Sequence, residues 1–492
     1  MAEGAARVLM GVPGLDDILN GGLPAKRMYL VKGNPGVGKT TLSIQFLLEG
    51  VRRGEKVLYI TLSETEQEIK QVAASHGWSL DGVDLFELSV AEQVLRLREE
   101  NTLYASEDVD LKELIAVLMA RVAELEPSRV VFDSLSEIRL LANNSSRYRR
   151  QLLTLKQELA GRACTALLLD DRTGGEDLQV ESLAHGVIVL EQSPAVYGAE
   201  RRRLRVAKLR GSSFRSGYHD YLVSKGGLVV FPRLVAAEHR TSLTAEPISS
   251  GVQRLDAILG GGVDRATCTL ILGPAGVGKS AVACQFAVAA ALRGEVSHVF
   301  LFEERIGTWI KRGENLGMPI SRLMEEGKLL VRQLDPAEVA PDEFTHLVRE
   351  AVERDNAKLV LIDSITGYFS AMPEARYLSL QMHELLSYLA EHGVATLMTT
   401  AQSGMLGAQM TTVIDVSYLA DTVVVMRHYE ADGHLRKAIS VLKKRSGSHE
   451  NTIRSLSLTS SGIVVGETLD TLHGVLTGVP QSLTKTSGRA SE

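Results

Sequence analysis

Lys39 and Lys279 each close a glycine-rich run of the form G-x-x-x-x-G-K-[ST]. The first run is Gly33-Asn34-Pro35-Gly36-Val37-Gly38-Lys39-Thr40, followed by Thr41. The second is Gly273-Pro274-Ala275-Gly276-Val277-Gly278-Lys279-Ser280, followed by Ala281. Glycines at these spacings let the backbone wrap closely round a phosphate with its N–H groups pointing inward. The lysine then reaches the β- and γ-phosphates, and the Thr40 or Ser280 hydroxyl is placed to coordinate Mg²⁺. Both runs therefore predict a site for ATP or ADP with Mg²⁺.

Acids at strand ends supply the rest of the chemistry. Asp133 ends the apolar run Arg129-Val130-Val131-Phe132, and Asp363 ends Leu359-Val360-Leu361-Ile362; each is followed by a serine. At the crest of a sheet such an acid completes a phosphate-loop site by holding Mg²⁺, usually through water. Glu303 and Glu304 end another apolar run, where the first half has Ser63 and Glu64. A carboxylate there polarises an attacking water or takes the proton of a hydroxyl nucleophile. Glu64, Glu303 and Glu304 are thus the candidate catalytic residues. Thr40, Ser280, Asp133, Asp363 and Glu303 are the candidate metal ligands. One acid against two predicts unequal sites. Late in each half, Lys208-Leu209-Arg210, with Ser212 just beyond, and Lys443-Lys444-Arg445 offer cations. Supplied across a subunit interface, such cations would stabilise charge on a transferring γ-phosphoryl group.

The elements that must position these residues also come twice. Gly11 to Gly22 recurs as Gly251 to Gly262, and the offset of 240 equals that between the loop lysines (279 − 39). About half the positions from Gly11 to Thr40 are identical in the second copy, which marks a tandem duplication. Apolar runs precede both loops and helical patterns follow them, and strands continue to alternate with helices. The pattern predicts an α/β fold of two domains, each a mostly parallel, doubly wound sheet with a β-hairpin region at its end. The expected domains are 1–243 and 244–476, joined near His239 to Glu246, with a flexible tail at 477–492. At 492 residues the chain is long enough for two domains.

Composition narrows the function. Lys and Arg total 54 against 60 Asp and Glu, a net charge of −6, which argues against nucleic-acid gripping as the main task. Cys164, Cys268 and Cys284 are far apart and form no metal or disulfide spacing, as expected of reduced thiols in a cytoplasm. No apolar run approaches the roughly 20 residues of a membrane span.

Together these residues carry a family resemblance. The strand, phosphate loop and helix, the strand-end Glu, the strand-end Asp-Ser and the late Lys-x-Arg resemble a RecA-type ATPase core. Its duplication, with G-x-x-x-L-D-x-I-L-x-G-G ahead of each loop, resembles the KaiC family of circadian-clock ATPases and autokinases from about Gly11 to Leu476. The resemblance implies two tandem RecA-like domains in a double-ring homohexamer, with ATP–Mg²⁺ between subunits. It implies slow hydrolysis in the first ring and reversible phosphorylation of a Ser or Thr in the second. The second-ring general base falls on Glu303; in the first ring one family glutamate falls on Ser63 and the next on Glu64. The acceptors fall on Ser417 and Tyr418, with a neighbouring threonine at Thr412. Ser417 is the expected principal acceptor, because a tyrosine hydroxyl projects farther from the backbone than a threonine's. A KaiB-like partner is compatible with this resemblance; a KaiA-like one is not expected, because the tail is short. The alternatives are a nucleic-acid-dependent ATPase of the same core and a nucleotide-gated scaffold.

Overall fold

The apolar runs ahead of the two phosphate loops are the inner strands of two separate nine-stranded sheets. The computed structural model describes residues 6–88, 107–142, 144–171, 178–194, 198–235, 246–370, 375–402, 418–431, 433–477 and 481–482. The chain divides into two compact units, 1–233 and 234–492.

In the first unit the sheet strands are β1 (Met28–Gly33), β2 (Val57–Thr61), β3 (Val83–Glu87), β4 (Arg129–Asp133), β5 (Thr165–Asp171), β6 (Gly186–Ser193), β7 (Arg201–Leu209), β8 (His219–Ser224) and β9 (Gly227–Phe231). Their order across the sheet is β3-β2-β4-β5-β1-β6-β7-β8-β9. The six strands from β3 to β6 run parallel, and β7, β8 and β9 continue antiparallel. The second unit repeats this plan with β10 (Cys268–Gly273), β11 (Ser297–Leu301), β12 (Leu329–Gln333), β13 (Leu359–Asp363), β14 (Ala395–Ala401), β15 (Thr422–Ala431), β16 (His434–Lys444), β17 (Arg454–Thr459) and β18 (Gly462–Thr468). Their order is β12-β11-β13-β14-β10-β15-β16-β17-β18, the same permutation. These are two tandem RecA-like α/β domains. The expected hairpin region is the antiparallel extension of each sheet.

The parallel strands read as continuous apolar runs because both their faces are covered. On β1, Met28 and Leu30 enter one buried layer while Tyr29 and Val31 enter the other. Leu270 and Leu272 of β10 likewise oppose Ile271. Each fully buried side chain of this kind contributes about 1.5–3 kcal/mol. The shared G-x-x-x-L-D motif belongs to this scaffold. Asp16 accepts the Met10 and Gly11 N–H groups at 2.8 and 3.2 Å, and Leu15, Ile18 and Leu19 are buried behind it. Asp256 is placed alike, accepting the Ser249 hydroxyl at 2.6 Å and the Ser250 N–H at 2.7 Å. The motif that helped reveal the duplication therefore folds a turn and touches no reacting group.

The expected junction lies largely outside the described residues, and so does most of the expected tail. Within the tail, Gln481–Ser482 pairs antiparallel with Leu472–His473. Among the described residues no helix is long and apolar enough to cross a membrane, and the three cysteines are buried and free.

Candidate active sites

Each phosphate loop leaves the carboxyl end of an inner strand and turns into a helix, Lys39–Arg52 or Lys279–Leu292. Gly38 and Gly278 cap these helices with φ of 95° and 110° and no side-chain cap, so the first helical N–H groups are left for a ligand. A Cβ at Gly278 would come within 2.8 Å of Leu458, so space as well as φ excludes a side chain there. Val37 and Val277 point into the core and are fully buried. The Val37 carbonyl also accepts the Tyr221 hydroxyl at 2.7 Å, which ties the first loop to β8. The loop tips, Asn34, Pro35 and Gly36 in one unit and Ala275 and Gly276 in the other, are exposed. Thr41 Oγ1 lies 3.2 Å from His76 Nε2, on the flank of the first site. Ala281, its counterpart, is packed into the core.

In the first unit the Lys39 ammonium is fully engaged. It donates to the Gly33 and Asn34 carbonyls at 2.9 and 3.0 Å and pairs with Asp171 Oδ1 at 2.7 Å. Thr40 Oγ1 donates to Asp133 Oδ2 at 3.1 Å, and the buried Tyr59 hydroxyl donates to the same oxygen at 2.5 Å. Burial pushes the Asp133 carboxyl above its ordinary value; the Tyr59 and Thr40 hydrogen bonds and the Lys39 charge pull it back, and nearby Asp171 pushes it further up.

The second unit keeps the loop hydroxyl and strand-end acid together. Ser280 Oγ donates to Asp363 Oδ1 at 3.1 Å, and Thr399 Oγ1 from β14 donates to the same oxygen at 2.5 Å. Asp363 Oδ2 is buried without a hydrogen-bond partner among the described residues. Lys279 donates to the Pro274 carbonyl at 2.9 Å. Burial lowers its pKa, while Asp363 and Glu303 oppose that shift.

The glutamates differ most. Glu304 is tied through both oxygens to Arg312 Nη1, each at 2.6 Å, while Glu303 beside it is exposed. A Cβ on Gly367 would come within 3.0 Å of Glu303 Cγ, so the bare backbone there makes room for that side chain. In the first unit Val72 stands 240 positions before Arg312, so Glu64 lacks the matching cation. Glu64 is half-buried, and its Oε2 has no hydrogen-bond partner among the described residues. Burial first, then the Asp133 and Glu68 charges, raise its pKa against the pull of Lys39. Its backbone is pinned by Thr61 Oγ1, which donates to the Glu64 carbonyl at 2.7 Å and accepts its N–H at 3.0 Å.

The late cations stand apart from their own loops. Lys208 pairs with Val187 and Val187 with Leu30, three residues before Gly33. Lys443 reaches Leu270 through Val423 in the same register. Both lie about 10 Å back along the strands from the loop edge. Lys208 and Arg210 donate to the Glu181 and Ser182 carbonyls at 2.6 and 2.9 Å, and Lys443 donates to the Ala420 carbonyl at 2.7 Å. Leu209 is a core residue. Lys444 is buried, donating to the Leu259 carbonyl at 2.6 Å and pairing with Asp264 at 3.0 Å. Ser212 Oγ accepts from Arg7 at 2.7 Å. Arg445 donates to the Tyr418 carbonyl at 3.4 Å, and the Tyr418 side chain is exposed. Thr412 and Ser417 lie outside the described residues.

Four polar residues of the sites escaped the sequence reading. Tyr59, Thr399 and Arg312 sit inside ordinary strand and helix patterns and carry no spacing signal. Asp171 had one: it ends an apolar strand, as Asp133 does.

Fold and loops together define the class: a tandem P-loop protein of two RecA-like domains. The sequence profile of the KaiC ATPase matches residues 8–235 and again 248–470, and the chain belongs to that family. It is 27% identical over 485 residues to circadian clock protein KaiC3 of Synechocystis sp., covering 97% of this chain and 95% of the relative. It is 26% identical to the circadian clock oscillator protein KaiC of Synechococcus elongatus, covering 98% and 93%. Against the oscillator protein KaiC of Acaryochloris marina the identity is 25%, covering 96% and 91%.

Proposed function

We propose that both units bind ATP and that they use it differently, the first for slow hydrolysis and the second for phosphoryl transfer to a hydroxyl of the same protein. The observation that carries this reading is the repeated pairing of a loop hydroxyl with a strand-end aspartate, Thr40 with Asp133 and Ser280 with Asp363, both at 3.1 Å. A hydroxyl and a carboxylate held together at the mouth of a P-loop suit a hard, oxygen-seeking cation. The partnerless Asp363 Oδ2 supports that fit. Thr40 and Asp133 in one unit, and Ser280 and Asp363 in the other, would hold Mg²⁺, which when bound neutralises charge on the β- and γ-phosphates.

The chain's own groups do the rest. The loop N–H groups and the lysine grip the phosphates. Glu303, exposed where Glu304 is bound to Arg312, is the proton acceptor for an attacking hydroxyl. Glu64 is the base that orients water in the first unit. Ser417 is the principal acceptor, with Thr412 and Tyr418 as further sites. Lys208, Arg210, Lys443 and Arg445 lie away from their own loops, which fits action on a neighbouring subunit's nucleotide in a homohexameric double ring. That ring would work as a nucleotide-driven timer or signalling body in the cytoplasm, open to a KaiB-like partner.

The test is to incubate the protein with Mg-ATP, follow ADP release and map phosphate by mass spectrometry, in wild type and in Glu303→Gln. We expect phosphate at Ser417 in the wild type and a fall of about 10²–10⁴-fold in its rate of appearance in the variant. ADP release without phosphate on 411–421 contradicts the kinase half. ADP release that requires added DNA or RNA supports a nucleic-acid-dependent ATPase instead.

A further inference from the structure

The two loop lysines differ in a way that the shared motif does not require. An ammonium group has three hydrogens to donate. Lys39 has three close acceptors within its own unit: the Gly33 carbonyl, the Asn34 carbonyl and Asp171 Oδ1. The Asp171 contact is the shortest of the three, at 2.7 Å, and the lysine is buried. The carboxylate is itself held. Its Oδ2 accepts from Ser136 Oγ at 2.9 Å, and the Asp171 N–H points to the same hydroxyl at 3.4 Å. The preceding Asp170 is locked by Arg139 through both oxygens, at 2.8 and 2.7 Å, which fixes the strand end.

The second unit has the same framework without the acid. Thr366 takes the place of Ser136, and its Oγ1 accepts the Ala401 N–H at 3.1 Å. Ala401 pairs with Gly273 on the inner strand just as Asp171 pairs with Gly33. One unit therefore presents a carboxylate to its loop lysine, and the other presents a methyl group at the same register position. Lys279 keeps a single hydrogen bond, to the Pro274 carbonyl, among the described residues.

We propose that Asp171 is a positioning residue that competes with nucleotide phosphate for Lys39, so that the first site binds Mg-nucleotide more weakly than its loop alone would allow. The inference rests on the nucleotide-binding reading above. A phosphate oxygen and a carboxylate oxygen seek the same ammonium hydrogens. An incoming nucleotide must either displace Asp171 or share the lysine with a negative neighbour. Asp133 and Glu64, which both feel the Lys39 charge, add to the negative surroundings of that lysine. Asp171 touches no reacting atom in this scheme; it acts through Lys39.

The experiment uses the full chain with Lys279→Ala, so that the first site alone reports, titrated with a fluorescent Mg-ATP analogue. Asp171→Ala, which copies Ala401, is expected to tighten binding by about tenfold, the effect of removing one charge-assisted competitor. Asp171→Asn, which keeps an acceptor for Ser136, is expected to do the same, and Asp171→Glu to retain the parent affinity. A gain in affinity is not what damage to the fold would give. Binding that is unchanged or weaker in both neutral variants overturns the proposal. The reverse exchange, Ala401→Asp in a Lys39→Ala chain, is expected to weaken the second site, and unchanged binding there also counts against it. If neither parent chain nor the wild type binds the analogue, the nucleotide reading itself fails.

Discussion

The two sites share a backbone plan but differ in how their charges are paired. In the first, the lysine is engaged with an acid, and among the described residues the strand-end Glu64 forms no ion pair. In the second, the lysine has one hydrogen bond among the described residues and the corresponding glutamate, Glu304, is neutralised by Arg312, leaving Glu303 exposed. The loop hydroxyl and the strand-end aspartate are held at the same distance in both. Duplication has thus preserved the phosphate cradle while the surrounding acids diverged. Under the proposed function, gripping a nucleotide constrains backbone and glycine, whereas the side chains around the loop would decide what becomes of the nucleotide.

The largest effect is expected at the glutamates. Glu64→Gln, measured as ATP turnover in a Lys279→Ala chain, is expected to slow the first unit by about 10²-fold or more, as loss of a general base does. Glu64 must be ionised to act, and its pKa is raised, so turnover should fall as pH drops through a value above the ordinary 4.5. The stability contribution of the same group runs the opposite way. The folded chain holds the Glu64 proton more tightly than the unfolded chain, so stability from this group is full below 4.5 and is lost as pH rises through the folded value. A first unit whose turnover is indifferent to Glu64→Gln would remove Glu64 as the base.

Smaller effects sharpen the comparison in the second layer. Tyr59→Phe and Thr399→Val each remove a donor to a buried aspartate, and each is expected to destabilise its unit by about 1–3 kcal/mol in urea unfolding. Glu304→Gln breaks a partly exposed ion pair and should cost only about 0–1 kcal/mol. If Glu304→Gln proved the costliest of the three, Glu304 would be a structural anchor of a kind its exposure does not suggest.

These particular residues show what could be read from sequence. The loops, Asp133 and Asp363 were legible because glycine spacing and strand-end acids are local patterns with a direct physical cause. The duplication was legible because a constant offset of 240 positions survives side-chain drift. Partnership was not legible. That Glu304 meets Arg312 depends on a helix, Ile306–Glu314, folding back past the strand end. Nothing in a pair eight residues apart distinguishes a clasp from two solvated charges. Asp171 reaches Lys39 only because β5 lies beside β1 in the sheet, a neighbour relation that sequence order does not reveal. The partner of Lys444 was hidden for the same reason: it belongs to a basic triplet expected to act on phosphate, and within its own unit its side chain lies against Asp264.

The proposed function requires two separate nucleotide grips in one chain. Native mass spectrometry of the wild type, Lys39→Ala and Lys279→Ala in Mg-ATP measures this directly. Two nucleotides per wild-type chain and one in each variant is the predicted result. A wild type that holds fewer than two, or a variant that still holds both, would contradict it.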